Sequence, residues 1–277
     1  MQSTDQQLWY QSKFELFEKG LNGEASSSIH KTRREAMKAF GELGFPTTKH
    51  EEWRFTNIGP LTKDGFNPVF EPGPEDVSEE ELRLFDFKSS HRIVFVNGRW
   101  SERLSSHKPF PKGVIVGSLA EGLRANHQIV ARHLGRYVSF RENAFTALNA
   151  AFVRDGAFIV VPEDIVVEDP VHVLFLTKNA GNALIAPRNL FVIGDRAKVS
   201  VVESYGSLSD QAYLTCVVSE IVQGSESVFE HDKVQNEGAA AFHVARTQSA
   251  QKERSTFTSN SIALGGAIVR NTIGATL

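Results

Sequence analysis

Residues 45–57, FPTTKHEEWRFTN, come close to the zinc-protease motif H-E-x-x-H. In that motif two histidines one helical turn apart bind the metal, and the glutamate acts as general base. His50 and Glu51 fill the first two positions, but Arg54 stands where the second histidine is needed. Because a guanidinium is a permanent cation that does not ligate a metal, the motif is incomplete.

The same segment fits the exit from a helix. Gly44 is predicted to cap a preceding helix, and Pro46 to prevent its continuation. Trp53 and Phe55 alternate along the segment, and both are expected to face the core. The charged residues around them are expected to form an ion-pairing surface: Lys49, Glu52 and Arg54. We favour this structural interpretation over a metal or substrate loop.

Cys216 is the only cysteine, so an internal disulfide is excluded, as is typical of a reducing, cytoplasmic compartment. It alternates with Leu214 and Val218 on one face of an apolar strand. A buried, unreactive thiol is therefore the favoured interpretation. One thiol cannot hold an iron–sulfur cluster, which needs four thiolates or close substitutes.

Two histidines, His231 and His243, lie on polar strands among charged residues. Those charged neighbours are Glu230, Asp232, Lys233 and Glu237. If the strands stack, some of these groups could converge on one face as a metal or acid–base site. The favoured alternative is that they form a solvated outer face of the sheet.

No motif assigns a catalytic, cofactor-binding or metal-binding residue to this chain. The sequence has no Gly-Lys-Ser/Thr phosphate loop and no G-x-S-x-G elbow, so ATP binding and hydrolysis are not expected. A net charge of −3 provides no basic surface for nucleic acid or an anionic membrane. The first residues, MQSTDQQLWYQ, lack a secretory pattern, and the apolar runs are too short to span a bilayer.

The elements that must position these residues divide the chain into two halves. Residues 1–150 carry helix signals, among them an apolar face over 29–43 that Ser28 is expected to cap. Three further helix starts show the capping-box pattern: Ser78 with Glu81, Ser118 with Glu121, and Ser139 with Glu142. One of these helices is expected to run on to Gly135. Strands are predicted at 92–96, before the turn Asn97-Gly98, and at 114–116.

After Arg154 the composition changes to short strands separated by Gly, Asn or Asp. This repetition is typical of a sandwich or of a β-solenoid. The absence of two-residue Asn-Gly or Asp-Gly hairpins over 157–277 favours the solenoid. We therefore predict a mainly β chain, with a helix-rich domain over 1–150 and a parallel β-helix core over 151–277.

Several longer motifs resemble the SufB/SufD family of iron–sulfur cluster assembly proteins. They follow one another in the family's order: LGFPTTKHEEWRFTNIGPL, FTALNAAFVRDGAFIVVPEDIVVEDPVHV, PRNLFVIGDRAKVSVVESY, KVQNE and FHVARTQSAQKERSTFTSNSIALGGAIVRN. Phe45 departs mildly, since the family commonly has Leu there. The resemblance implies a right-handed parallel β-helix behind a helix-rich N-terminal domain, and the lone cysteine is closer to SufD than to SufB.

The resemblance implies a non-catalytic, SufD-like subunit of the SufBCD scaffold, working with a SufB-like protein and the ABC-type ATPase SufC in the cytoplasm. It implies iron entry and nascent cluster formation at the SufB–SufD interface, with no cluster held stably by this chain. The family's further β-helix turns and C-terminal helical domain lie beyond the part matched by this sequence. No metal or catalytic residue is carried over to this chain.

Two other function classes stay open: a β-helix carbohydrate lyase or acyltransferase, and a structural β-solenoid adaptor. An enzyme of the first class would need stacked carboxylates and basic groups in one groove, or hexapeptide repeats, which this sequence lacks. The strands over 255–264 and 267–277 are apolar enough to be interior turns, so their edge is expected to add a strand and form a homodimer. Lysine at Ile268 and Ile273 is expected to weaken that association.

Overall fold

The computed structural model describes residues 3–21, 27–63, 65–70, 76–125 and 127–277. Its helices all precede residue 153, and strands dominate from residue 157 onward. The helices are α1 Ser3–Lys19, α2 Ser28–Leu43, α3 Gly59–Thr62, α4 Glu79–Arg83, α5 Leu119–Arg124, α6 Gln128–His133 and α7 Ala144–Phe152, with a 3-10 turn at Glu51–Trp53.

The strands form two sheets, one of eight strands and one of six. The first four are β1 Asn67–Pro68, β2 His91–Val96, β3 Arg99–His107 and β4 Ile115–Ser118. The next five are β5 Ala157–Val161, β6 Val171–Thr177, β7 Ala183–Ile185, β8 Arg188–Ile193 and β9 Lys198–Ser207. The last five are β10 Leu214–Gln223, β11 Val228–Asn236, β12 Phe242–Gln251, β13 Thr256–Ala263 and β14 Ile268–Thr276.

From β5 onward the chain winds as a parallel β-solenoid of about four turns. Successive turns are β5 with β6, β8 with β9, β10 with β11, and β12 with β13, and β14 pairs with β12. Each strand lies in parallel register on the strand one turn earlier, as Leu214 lies beside Phe242. The solenoid and the mainly β fold class are therefore confirmed. The division of the chain at residues 150 and 151 stays a prediction.

A corner residue with left-handed backbone recurs in each turn. Asp164, Arg196, Glu226 and Arg254 have φ between 57° and 63°, at the step from one sheet to the other. A left-handed conformation costs a non-glycine residue about 1 kcal/mol. Ion pairs between corners of consecutive turns offset part of it, since Arg196 contacts Asp164 at 2.6 Å and Arg254 contacts Glu226 at 2.6 Å.

The helix starts follow the sequence pattern in part. α2 begins at Ser28, but the cap is Ser27, whose side chain accepts from the His30 N–H. Ser78 and Glu81 form both bonds of a capping box. Ser118 accepts from the Glu121 N–H, although the helix predicted to reach Gly135 is two short helices, α5 and α6.

The third predicted helix start is wrong. Ser139 accepts a hydrogen bond from the Arg141 N–H in a loop, and α7 begins five residues later. Its cap is Asn143, whose side-chain oxygen accepts from the N–H groups of Phe145 and Thr146. The strands on either side of the Asn97-Gly98 turn do form the predicted hairpin, β2 with β3, and β2 continues the six-stranded sheet beside β6.

Trp53 lies in an aromatic core between the helices and the outer face of the eight-stranded sheet. Its side chain is 4% exposed, stacks on Phe145 at 5.2 Å between ring centroids, and carries the Arg270 guanidinium 4.2 Å above its ring. Phe55, predicted to face the core as well, is 93% exposed. The prediction failed because the 3-10 turn at Glu51–Trp53 interrupts the strand-like alternation.

We expect Trp53→Ala to lower the free energy of unfolding by about 3–5 kcal/mol, because it removes a buried aromatic ring and leaves a cavity. Phe55→Ala is the matched control and should change stability by less than about 0.5 kcal/mol, since that ring is exposed. Urea unfolding followed by circular dichroism measures both. Equal stability of the two variants would show that Trp53 does not hold the helices on the sheet.

Candidate functional site: a buried ionic network in the solenoid

The interior of the solenoid contains a layer of charged side chains. Glu203 and Tyr205 come from β9, His231 and Lys233 from β11, and His243 from β12. Glu237, just after β11, completes the group, which we call the buried network. All six side chains are at most 4% exposed.

The position of His231, Lys233, Glu237 and His243 corrects the expectation of a solvated outer face. Along β11 the side chains point alternately into and out of the solenoid. Phe229 is 0% exposed, so it and every second residue from it point inward. His231 and Lys233 are among these residues, whereas Glu230 and Asp232 point outward. Phe229 shares its alternating positions with His231 and Lys233, and this was the sequence signal that would have placed both polar side chains inward.

Glu203 accepts hydrogen bonds from several side chains. Its Oε2 accepts from His231 Nε2 at 2.8 Å and from Ser219 Oγ at 3.3 Å, and the Tyr205 hydroxyl also donates to this carboxylate. Burial alone would raise the pKa of Glu203, but the bond and charge of His231 and the charge of Lys233 outweigh it and lower the pKa to about 2. Glu203 is therefore an ionised carboxylate held away from water.

Lys233, His243 and Glu237 form a continuous hydrogen-bonded chain. Lys233 Nζ contacts His243 Nε2 at 2.8 Å, and His243 Nδ1 contacts Glu237 Oε2 at 2.6 Å. Since an ammonium has only donors, His243 Nε2 accepts and its Nδ1–H donates to the carboxylate. Burial and the charge of Lys233 lower the pKa of His243, which keeps this imidazole neutral.

The two ends of that chain are satisfied by further groups. Glu237 also accepts from Thr215 Oγ1 at 2.6 Å and from Gln235 Nε2 at 3.0 Å. Lys233 donates to Asn271 Oδ1 at 3.0 Å, and its Nζ lies 4.9 Å from the Tyr205 ring centroid. Burial lowers the pKa of Lys233 to about 8, so its ammonium costs stability fully below about pH 8 and less as the pH rises toward 10.5.

The contacts of the buried network suit hydrogen bonding between side chains of neighbouring turns better than they suit binding a metal ion. Within the part of the chain that the structure describes, no group of three or more His, Cys, Asp or Glu side chains is placed to hold a metal ion. Both ring nitrogens of His243 are engaged by Glu237 and Lys233. His231 Nδ1 is buried without a hydrogen-bond partner among the described residues.

The other sequence candidates have structural roles. Cys216 is 1% exposed, with its Sγ 3.2 Å from the Phe145 carbonyl oxygen, and burial raises the pKa of its thiol to about 12. The prediction of a buried thiol is confirmed, and its low reactivity stays a prediction. His50 Nδ1 accepts from the Thr47 N–H at 3.0 Å, so its ring closes the loop after α2.

The charged residues around Trp53 are exposed, as predicted, but not ion-paired. Lys49, Glu52 and Arg54 have no ion pair among the described residues, and the Arg54 guanidinium lies 5.6 Å from the Phe55 ring centroid.

A second buried ion pair joins the solenoid to the N-terminal elements. Arg188 Nη2 contacts Glu220 Oε2 at 2.7 Å, and the two side chains are at most 4% exposed. Glu220 also accepts from the backbone N–H groups of Gly135 and Tyr137, at 2.8 and 3.0 Å. Asn149 of α7 donates to the carbonyl oxygens of Pro187 and Cys216, both at 2.8 Å. Charge-assisted bonds therefore fix the loop over 135–137, and amide bonds fix α7, on the outer face of the eight-stranded sheet.

A parallel β-solenoid that packs N-terminal helices on one sheet and encloses a charged layer is a fold of assembly scaffolds as well as of enzymes. Matches to two family models identify the protein family. The chain matches the model described as "SufBD protein N-terminal region" over residues 3–173 and "SUF system FeS cluster assembly, SufBD core domain" over 175–277. The chain belongs to the SufBD family.

Curated relatives agree with this assignment. An iron–sulfur cluster assembly SufBD family protein of Synechocystis is 28% identical over 265 residues, covering 92% of this chain and 58% of the relative. The assembly protein SufD of Bacillus subtilis is 28% identical over 74% of this chain and 47% of its own length. SufD of Escherichia coli is 24% identical over 82% of this chain and 51% of its own length. The chain thus spans about half the length of these relatives.

A search of the described helices for a membrane-spanning segment found none long and apolar enough to cross a bilayer.

We expect the decrease in the free energy of unfolding at acidic pH to depend on Glu203. Its pKa lies below the ordinary 4.5, so above pH 4.5 its ionised form stabilises the fold relative to the protonated form, and this stabilisation is lost as the pH falls toward 2. Glu203→Gln should therefore be less stable than the parent at pH 7, with a difference that shrinks between pH 4.5 and pH 3. Urea unfolding at several pH values measures the difference.

Glu230→Gln is the control for that experiment, because this carboxylate lies on the same sheet but faces outward. It should leave both the stability at pH 7 and the pH slope close to those of the parent. A Glu203→Gln deficit that stays constant from pH 7 to pH 3 would show that the folded protein does not hold Glu203 ionised.

Proposed function

We propose that this chain is a SufD-like, non-catalytic subunit of a SufBCD-type scaffold for iron–sulfur cluster assembly. In this role it works in the cytoplasm with a SufB-like protein and a SufC-like ABC ATPase, and it supports iron entry and nascent cluster formation at the interface with the SufB-like partner. The cluster is the cargo of the complex and is held only transiently. The observation that carries the proposal is the match of the two SufBD family models, in order, along the chain.

The relatives named SufD support the finer assignment within the family. The chemistry of the chain supports it too. Its single thiol is buried against α7 with a raised pKa, so it is a poor cluster ligand and a poor nucleophile. The sequence has no phosphate loop, so ATP turnover is assigned to the SufC-like partner.

The scaffold role also accounts for where the charged residues lie. A carbohydrate-active solenoid enzyme needs its carboxylates in a groove that substrate can enter. Glu203 and Glu237, the carboxylates of the buried network, are enclosed between the two sheets and engaged by neighbouring side chains. That arrangement supports a stable platform rather than a substrate cleft.

Sheet edges are the surfaces through which we propose that partners bind. β13 pairs with β11 and β14 with β12, and these are the last two strands that the structure describes. A SufB-like protein or a second copy of this chain can add a strand there. Ile268 packs on the helical core and Ile273 lies beside Lys233, so lysine at either position would disturb packing as well as the edge.

Co-expression tests the proposal directly. The tagged chain, produced with the SufB-like and SufC-like proteins of its own organism, should retain both through affinity and size-exclusion steps. Leu84→Ala, which alters a side chain that is 73% exposed just after α4, serves as a folded control. Recovery of the tagged chain without either partner, at concentrations where it remains folded, would contradict the proposed role.

A second test concerns the cargo. Anaerobic reconstitution of the chain alone with iron and sulfide should give, after desalting, no visible absorption of an iron–sulfur chromophore, because a lone buried thiol cannot supply the ligands. Cys216→Ser should give the same spectrum as the parent. A stoichiometric cluster on the parent that disappears in Cys216→Ser would make this chain a cluster carrier in its own right.

A further inference from the structure

A groove of about 640 Å³ crosses the outer face of the eight-stranded sheet, away from the buried network. Strands β10, β12 and β14 form its floor, the loop over 135–143 forms one wall, and the turn at Glu52 and Trp53 closes it. We call it the arginine groove after the four guanidinium groups that line it: Arg136, Arg141, Arg246 and Arg270.

The charge in the groove is opposite in sign to that of the chain. Two carboxylates, Glu52 and Glu142, also line it, so arginines exceed acids by two in a chain of net charge −3. Arg141 contacts Glu35 at 3.2 Å, but both side chains are well exposed and such a pair is weak. For Arg136, Arg246 and Arg270 no carboxylate of the described residues lies within ion-pair distance. The groove therefore keeps a net positive charge.

Two of the arginines are held in place while most of their donors stay free. The Arg270 guanidinium stacks 4.2 Å from the Trp53 ring centroid, and its one hydrogen bond is a long contact of 3.5 Å from Nη1 to Thr56 Oγ1. Arg246 Nη2 donates to Gln248 Oε1 at 2.8 Å. Stacking and a single side-chain bond orient a planar guanidinium while engaging only one of its five N–H groups.

The wall that carries the other two arginines is anchored from below. Glu220, completely buried, accepts from the N–H groups of Gly135 and Tyr137, the residues on either side of Arg136. The buried Arg188 holds that carboxylate in turn. The backbone under Arg136 is thus tied to the same sheet that carries Arg246 and Arg270, so the fold sets the position of that backbone relative to these two residues.

We propose that the arginine groove binds a small ligand bearing two or more phosphate or carboxylate groups. Guanidinium groups match the oxygens of these anions in a bidentate geometry, and separated arginines suit a ligand with more than one anionic group. Hydroxyl groups of Thr272 and Thr276 line the floor as further donors. The volume lies within the range of about 300–1,000 Å³ typical of small-molecule pockets, and walls on two sides favour a compact ligand over an extended peptide.

Titration calorimetry of the 277-residue chain with inorganic pyrophosphate and with citrate tests the proposal. At least one should bind saturably at millimolar concentration or better, and raising NaCl from about 50 mM to about 500 mM should weaken the binding because charge dominates it. We expect Arg246→Gln to bind about tenfold or more weakly, since it loses a charge-assisted contact. Arg246 does not pack on Trp53, so this variant should melt within about two degrees of the parent.

Arg254→Gln is the matched control, because Arg254 is an exposed corner residue of the solenoid, outside the groove, and paired with Glu226. It should bind both anions like the parent. Arg270→Gln, which also loses the stacking on Trp53, should weaken binding to a similar degree wherever its melting temperature shows that it is folded. Failure of both anions to saturate, or equal affinity of the Arg246 and Arg254 variants, would overturn the proposal. Binding of a poly-glutamate peptide alone would also overturn it, in favour of an acidic protein segment.

Discussion

The buried ion pair between Arg188 and Glu220 connects the solenoid to the loop after α6 and to α7. Glu220 binds the backbone of the loop that follows α6, and Arg188 donates to the Asn149 amide of α7. α7 in turn covers the outer face of the eight-stranded sheet and encloses Cys216. An unpartnered charge at this depth would cost several kcal/mol, so the loop, the helix and the strands hold one another in a single arrangement. The shape of the arginine groove follows from that arrangement.

The buried network imposes a comparable constraint inside the solenoid. Its members come from three consecutive turns, and each ionised group has hydrogen-bond partners from a neighbouring strand. Such networks add little net stability, because desolvation opposes the attraction between the charges. They do penalise alternative pairings strongly, since a shift of β11 by one residue would move His231 and Lys233 out of the interior and leave Glu203 and His243 without these partners. We infer that the network specifies strand register more than it stabilises the fold.

How far the sequence predicted this structure depended on whether the signal was local. Capping by Ser78, the Asn97-Gly98 hairpin and the apolar strand around Cys216 rest on neighbouring residues, and the structure contains all three. To place His231 and His243 correctly, one must know which face of each strand points inward. The charged residues next to them favoured the outward face, which is wrong. The solenoid was recognisable from repetition and family motifs, but the packing partners of its inner residues lie one turn away in the chain.

The candidate site shows the same limit. The sequence marked six groups, some of which could converge: Glu230, His231, Asp232, Lys233, Glu237 and His243. Glu203 and Tyr205 were absent from that set because they lie some 30 residues earlier, on the preceding turn. The exposed Phe55 and the helix start at Asn143 were missed for a different reason. A short 3-10 turn and a competing side-chain bond from Ser139 each override a pattern that is sound over longer segments.

The left-handed corners at Asp164, Arg196, Glu226 and Arg254 repeat in every turn and give the solenoid a constant spacing between turns. Each corner places the next strand at the same spacing, about 4.8 Å along the axis, whatever the side chains of that turn are. A whole added turn would lengthen the axis by one such step and leave every inward and outward position unchanged. A single added residue within a strand would instead exchange the two faces. The distance between surfaces at the two ends of such a molecule can therefore evolve only in whole steps, while the chemistry on each face evolves residue by residue.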